Sequence, residues 1–119
     1  MNNPVIDTNG NTFYYNSMHR FHNEDGPAII WASGTKEWCI DGQLHNENGP
    51  AYIGSKGTQE WYKYGNRHRI DGPAVIYPDN TKLWYVNRTL YTDNQSYQEA
   101  AGISDEEMET IIAKFGNVE

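Results

Sequence analysis

Apolar and polar positions alternate along the middle of the chain, and the alternation recurs. In segment 35–40, Trp38 and Ile40 fall on one face of a strand, and Glu37 and Cys39 fall on the other. An Asp-Gly pair follows directly and predicts a tight turn. A second short strand is predicted at 51–53, so the pattern indicates two strands per period.

A short motif, His-x-x-x-Gly-Pro-Ala, marks the period. It stands three times, at 22–28, 45–51 and 68–74, so successive copies are 23 residues apart. We call these the first, second and third motifs. Gly accepts unusual backbone angles and Pro donates no hydrogen bond, so each motif predicts an irregular turn. The same step relates four further rows: Thr12, Thr35, Thr58 and Thr81; Ile30, Ile53 and Ile76; Trp38, Trp61 and Trp84; and Ala28, Ala51 and Ala74.

This repetition predicts a mainly β fold, an antiparallel meander of stacked 23-residue β-hairpin repeats in a single-layer twisted sheet. Strands lie about 4.8 Å apart, so two strands advance each repeat by about 10 Å and equivalent side chains form rows. We expect the Trp, Ile and Ala rows to form the core. The chain is predicted to be a single domain over 1–119, with the hairpin repeats at 10–94.

A helical pattern replaces the repeat in 95–119. Ser104 followed three residues later by Glu107 forms a capping box, and Gly116 ends the helix. A short helix is also expected at 96–101. The apolar face of the longer helix comprises Met108, Ile111, Ile112 and Phe115. We expect this face to cap the open edge or face of the last strand, and a homodimer contact is the alternative use.

Composition excludes several function classes. Sixteen acidic residues against nine basic ones give a formal net charge of -7, which disfavours direct binding to nucleic acid. Mean hydropathy is -0.85, and no apolar run approaches the roughly 20 residues that cross a bilayer. The N-terminal residues lack the features of a signal peptide. Cys39 is a single cysteine and forms no intramolecular disulfide. A cytoplasmic protein that does not bind membranes is expected.

The motif histidines do not form one metal site. Equivalent histidines are expected about 10 Å apart, whereas two ligands of one zinc ion lie within about 4 Å of each other. A site within one repeat, from His19, His22 and Asp25, stays open. We expect each motif histidine to hold its adjoining Gly-Pro turn through its ring nitrogens. The sequence also offers no nucleophile beside a base and no phosphate-binding loop, so we expect no enzymatic activity and no cofactor.

Aromatic residues on the predicted strands are the best candidates for binding, since the chain holds nine Tyr and four Trp. A single-layer sheet fully buries at most one face, and Tyr and Trp are favoured at interfaces. The candidates lie opposite the Trp row at Tyr62, Tyr64 and Tyr85, and opposite the Ile row at Trp31, Tyr52 and Tyr77. Packing of these rings against one another, or under the helix, is the alternative.

Basic residues also gather beside Tyr64. The cluster comprises Arg67, His68, Arg69 and Arg88. It is a candidate site for a small anionic ligand or for an acidic patch of a protein. Solvated turn charges are the alternative interpretation.

The stretch from Trp38 to His45, with the Gly-Pro-Ala turn and the 23-residue step, resembles MORN-type (membrane occupation and recognition nexus) β-hairpin repeats. In particular it resembles the His-x-x-x-Gly-Pro-Ala variety of uncharacterised bacteriophage and giant-virus proteins. The resemblance covers about residues 10–94. It implies stacked hairpins that serve as scaffolds or interaction surfaces. A bacteriophage origin would imply a small early protein that binds and diverts a host component.

These observations together predict a non-enzymatic protein–protein interaction module. By resemblance, it is a phage protein that binds and modulates or inhibits a bacterial host factor in the host cytoplasm, for example a factor involved in defence. The alternative is a sponge for a nucleotide signal, in which Tyr and Arg residues stack on the small ligand and neutralise it at a dimer interface. A homo-oligomeric structural component is a third possibility.

Overall fold

The structure is a computed structural model that describes residues 3–119. The strands are β1 (Val5–Ile6), β2 (Thr12–Phe13), β3 (Ile29–Ile30), β4 (Lys36–Glu37), β5 (Cys39–Ile40), β6 (Gln43–Leu44), β7 (Tyr52–Ile53), β8 (Gln59–Glu60), β9 (Tyr62–Lys63), β10 (Asn66–Arg67), β11 (Val75–Ile76), β12 (Lys82–Val86) and β13 (Thr89–Tyr91). The helices are α1 (Asn94–Ala101) and α2 (Asp105–Phe115).

An antiparallel meander organises these strands. Over residues 3–119, nine of them form one sheet in the order β1-β2-β3-β4-β7-β8-β11-β12-β13. The other four pair as two ribbons, β5 with β6 and β9 with β10. The prediction of a mainly β meander of hairpin repeats with a helical cap is confirmed.

Each of the first two repeats has more strands than the pattern predicted. The expected strand at 35–40 is broken at Trp38, where β4 ends and β5 begins, and the same break occurs at Trp61. Beyond each break the chain leaves the main sheet, forms a ribbon and returns as β7 or β11. In contrast, β12 runs unbroken through Trp84, where the C-terminal helices pack. Each of the first two repeats therefore contains four short strands, and at each break the tryptophan N–H donates to the motif alanine carbonyl, Ala51 or Ala74.

The hairpins beyond the three tryptophans close with equivalent two-residue turns. Both central residues have positive φ at Asp41-Gly42 (48° and 81°), Tyr64-Gly65 (44° and 84°) and Asn87-Arg88 (45° and 75°). Two successive positive φ angles are typical of the type I′ turn, whose twist matches that of the flanking strands. The second and third turns therefore adopt this geometry without the Asp-Gly pair that predicted it for the first.

The motif histidines hold these turns and not the Gly-Pro turns beside them. Nδ1 accepts the backbone N–H of the residue 19 positions later, over 2.9 Å at His22, 3.0 Å at His45 and 2.9 Å at His68. The expectation that each histidine holds its adjoining Gly-Pro turn is thus corrected. In each motif, the proline carbonyl instead accepts a hydrogen bond from the side chain of the residue that follows the histidine. That residue is Asn23, Asn46 or Arg69.

The rows of equivalent residues are buried unevenly. The alanine row is fully buried, and Trp84 is 1% exposed. The other two tryptophans and the isoleucine row are only half-buried, so the expectation that they form the core holds in part. On the opposite face, Ile29 and Val75 are buried. Val75 pairs in register with Glu60 and Leu83, whose side chains flank it on that face.

The two helices cap the last repeat of their own chain. The capping box between Ser104 and Glu107 is present, and α1 begins at Asn94, two residues before its predicted start. The ring of Tyr97 packs edge-on against Trp84 with a centroid separation of 4.9 Å. A hydrophobic cluster joins the helices to β12: Trp84, Val86, Tyr97, Met108, Ile111 and Val118. The apolar helical face is therefore used inside the chain, and a homodimer through it stays a prediction.

Candidate binding surface

Five candidate aromatic residues share the sheet face opposite the helices. We call this the tyrosine face; its aromatic members are Trp31, Tyr52, Tyr62, Tyr77 and Tyr85. The register fixes their common side, since Tyr52 pairs with Glu37 on one neighbouring strand and with Glu60 on the other. Tyr77 is exposed and the other four are half-buried. The rings thus form an accessible band across β3 to β12.

Glu60 and Arg67 organise the centre of the tyrosine face. The guanidinium Nη2 lies 3.0 Å from the Glu60 carboxylate, and the Tyr62 hydroxyl donates to the same oxygen over 2.8 Å. Arg67 also donates to the hydroxyls of Tyr62 and Tyr85, over 3.3 Å and 3.4 Å. Burial raises the pKa of Tyr62, and the bond to Glu60 raises it further. Burial alone would lower the pKa of Arg67, but its hydrogen bonds outweigh burial and raise it.

A second carboxylate fixes the first ring of the band. The indole N–H of Trp31 donates to Glu37 over 2.6 Å. The same indole packs edge-on against Phe13, with centroids 5.6 Å apart. Trp31 is therefore held on two sides. Hydrogen-bonded rings of this kind lose little conformational freedom when a partner covers them.

The structure places the remaining candidates elsewhere. Tyr64 lies in a turn and stacks on His45 at 3.9 Å. Arg69 stacks on Trp61 at 3.9 Å, donates to Asp71 over 2.8 Å and leaves its side chain 12% exposed. Arg88 is exposed in the last type I′ turn. The predicted basic cluster is therefore divided, because Arg67 and Arg69 have separate sets of partners.

Equivalent pockets lie over the first two tryptophans of the row. The Trp38 pocket has a volume of about 280 Å³, with Asn23, Glu24, Ile40 and Glu47 among its lining residues. The Trp61 pocket has a volume of about 350 Å³, and its lining includes the residues equivalent to all of these. At the third repeat, α1 and α2 cover Trp84. The sequence analysis assigned all three tryptophans to the core. The sequence did carry a signal against this, because a helical segment follows only the last repeat and can cover only its tryptophan.

Cys39 is buried, and the described part of the chain holds no cluster of metal ligands. Burial raises the pKa of the Cys39 thiol to about 11, and the nearby Glu37 carboxylate adds to the shift. Within residues 3–119, no three His, Cys, Asp or Glu side chains gather in an arrangement that could hold a metal ion. Across the same residues, neither helix has the length and apolar composition needed to cross a bilayer.

Comparisons with protein-family models, curated proteins and solved structures find no match to this chain. The resemblance to MORN-type repeats therefore rests on the motif and its 23-residue spacing. A fold also carries many unrelated functions. The function is accordingly inferred from the tyrosine face and the tryptophan pockets.

Proposed function

We propose that the protein is a non-enzymatic interaction module that binds a partner protein through the tyrosine face. The observation that carries this proposal is the band of accessible, hydrogen-bonded aromatic rings on the face opposite the helices. Tyr and Trp are the residues most enriched among those that dominate binding energies, because each buries a large area at a small entropic cost.

The pairing of the arginines favours a protein over a small anionic ligand as the partner. Arg67 is engaged with Glu60 and two tyrosine hydroxyls. Arg69 is engaged with Asp71 and the Pro73 carbonyl. An anion that displaced these acceptors would leave them unpaired, which costs free energy. A protein can cover the rings without breaking the pairs.

The biological setting is part of the proposal. The resemblance to repeats of bacteriophage proteins supports a bacterial host factor as the partner, met in the host cytoplasm. The net charge of -7 supports a partner whose contacting surface is neutral or basic.

Native mass spectrometry of tagged protein recovered from bacterial lysate tests the proposal. Three baits are compared: the unmodified chain, the double variant Tyr62→Ala/Tyr85→Ala, and the control Met18→Ala, which changes an exposed apolar residue in a loop. We expect a stoichiometric protein on the first and third baits. On the double variant we expect binding to weaken about 30-fold or more, which corresponds to a loss of about 2 kcal/mol.

Three results would contradict the proposal. Equal capture by all three baits would remove the tyrosine face as the binding surface. An added mass of a few hundred daltons in place of a protein would support the small-ligand sponge. A bare chain on every bait would leave no partner to explain.

A further inference from the structure

We propose that the Trp38 pocket is a binding site for a tyrosine side chain carried on a cationic segment of a partner protein. This inference rests on the proposed interaction function, but it uses the opposite face of the sheet. It therefore adds a second contact and specifies the chemistry of the partner.

The third repeat shows how such a tyrosine sits. Tyr97 is fully buried, and its ring packs edge-on against Trp84. Its hydroxyl oxygen lies 2.8 Å from the Arg69 carbonyl and 3.0 Å from the Gly72 carbonyl, and it accepts the Gly72 N–H over 3.3 Å. One phenol thus satisfies backbone groups of the third motif that would otherwise be buried without a partner.

The first repeat presents the same groups without an occupant. Its equivalents, 46 residues earlier, are the ring of Trp38, the carbonyls of Asn23 and Gly26, and the Gly26 N–H. Among the hydrogen bonds within residues 3–119, none engages those two carbonyls or that N–H. The pocket volume of about 280 Å³ lies just below the range of about 300–1,000 Å³ typical of small-molecule sites. The size suits a single side chain.

In the second repeat the chain itself covers the tryptophan ring, although a pocket remains beside it. The guanidinium of Arg69 lies over the Trp61 ring at 3.9 Å and also donates to the Pro73 carbonyl over 3.0 Å. The residue equivalent to Arg69 in the Trp38 pocket is Asn46, which donates to the Pro50 carbonyl over 2.9 Å but is too short to cover a ring in the same way. Within residues 3–119, Trp38 is therefore the member of the row whose ring neither an arginine nor the helices cover.

Charge at the rim specifies the occupant further. Glu24 and Glu47 line the Trp38 pocket, and their side chains are 77% and 73% exposed. Ile70, which lies 46 residues after Glu24, lines a cleft with Ile103 and Phe115 of the C-terminal segment and with charged residues such as Asp71 and Lys114. In the third repeat, apolar residues of the C-terminal segment thus meet an isoleucine where the Trp38 pocket has Glu24. An occupant of the Trp38 pocket would meet the two carboxylates with Lys or Arg.

The same charge argues against a second copy of this chain as the occupant. The segment that carries Tyr97, α1, contains Glu99 and no basic residue. Insertion of α1 from another copy would bring no cation to Glu24 and Glu47, so the two carboxylates would stay uncompensated.

The test is a titration of the full ¹⁵N-labelled chain, followed by NMR, with a lysine-rich helical peptide that carries one central tyrosine. The control peptide carries phenylalanine in its place. We expect saturable shifts of the Trp38 indole N–H and the Gly26 amide. The phenylalanine peptide should bind about fivefold more weakly, since one neutral hydrogen bond contributes about 1 kcal/mol.

The variant Asn46→Arg supplies a control that should fold. It copies the second repeat, in which Arg69 covers the tryptophan and still bonds the proline carbonyl. We expect it to abolish the peptide shifts, whereas Tyr62→Ala/Tyr85→Ala should keep them. Retained binding by Asn46→Arg, equal binding of both peptides, or no shift at all would overturn the inference. Shifts that map to the tyrosine face and vanish in the double variant would overturn it while supporting the proposed function.

Discussion

The imidazole of His45 makes two contacts with Tyr64, which lies 19 residues later. Nδ1 accepts the Tyr64 backbone N–H over 3.0 Å, and the two rings stack with centroids 3.9 Å apart. Equivalent Nδ1 bonds join His22 to Asp41 and His68 to Asn87. Each motif histidine therefore ties its own segment to the next type I′ turn. This link between successive hairpins explains why the histidine recurs with the repeat.

The histidine links predict that acid destabilises the fold. A histidine that accepts at Nδ1 must lack a proton there, and protonation removes the bond. Burial lowers the pKa of His68, and the charge of Lys63 lowers it further. The contribution of His68 to folding stability is thus fully present above about pH 6.5, the usual pKa of histidine in an unfolded chain. It is lost as the pH falls through the lower pKa of the folded state. Urea unfolding should show a lower midpoint at pH 5 than at pH 7.5.

The variant His68→Asn isolates this effect. Its amide oxygen can accept from the Asn87 N–H, and it does not titrate in this range. We expect the variant to lose part of the pH dependence between pH 7.5 and pH 5. An unchanged pH dependence in the variant, or a midpoint that rises on acidification, would contradict the assigned role.

Two motif glycines should respond differently to the same substitution. A Cβ at Gly72 would lie 2.8 Å from both Cζ of Arg69 and the Phe115 ring, whereas at Gly49 the nearest atom is 3.8 Å away. Gly72→Ala is expected to lower the free energy of unfolding by about 1–3 kcal/mol through overpacking. Gly49→Ala should change it by no more than about 0.5 kcal/mol. Equal effects in urea unfolding would show that α2 does not press on the third motif.

The buried hydroxyl of Tyr97 should stabilise the helical cap. Tyr97→Phe keeps the ring against Trp84 but leaves the Gly72 N–H and two carbonyls without their partner. Loss of such a buried partner costs about 1–3 kcal/mol. The control Tyr77→Phe changes an exposed hydroxyl and should cost no more than about 0.5 kcal/mol. Equal thermal stabilities of Tyr97→Phe and Tyr77→Phe would contradict the stabilising role of the buried Tyr97 hydroxyl.

The carboxylate of Glu60 should contribute more to the free energy of unfolding than a carboxylate in an exposed turn. Glu60→Ala removes an acceptor shared by Arg67 and Tyr62 and leaves the half-buried guanidinium without its carboxylate. We expect the free energy of unfolding to fall by about 1 kcal/mol. This is less than for a fully buried pair, because both groups retain contact with water. Glu24→Ala, at an exposed turn position, is the control and should be nearly neutral. Equal stabilities by urea unfolding would contradict the network at the centre of the tyrosine face.

Repetition and local chemistry explain what the sequence could predict. The 23-residue rows indicated stacked hairpins, and the Ser104 capping box located α2. The strand breaks at Trp38 and Trp61 were not predicted, because they depend on bonds to segments that are distant in sequence. Trp38, for instance, donates its N–H to Ala51 over 2.7 Å and accepts from His45 over 2.9 Å.

The candidate site was predictable only as far as strand alternation determines it. Alternation correctly placed Tyr52 and Tyr62 opposite the rows of Ile and Trp. It could not separate Arg67 from Arg69, which lie two residues apart. Arg69 is drawn to Trp61 and to Phe115 on α2, and the packing of that helix is a tertiary contact that strand alternation does not encode.

Site-specific photo-crosslinking tests the interaction surface most directly. A photoreactive phenylalanine analogue replaces Tyr77, an exposed member of the tyrosine face, or Met18, which is 65% exposed in a loop. Both variants are expressed in bacteria and irradiated. We expect a covalent adduct with one bacterial protein from position 77 and none from position 18. The same adducts from both positions, or an adduct from position 18 alone, would contradict binding through the tyrosine face.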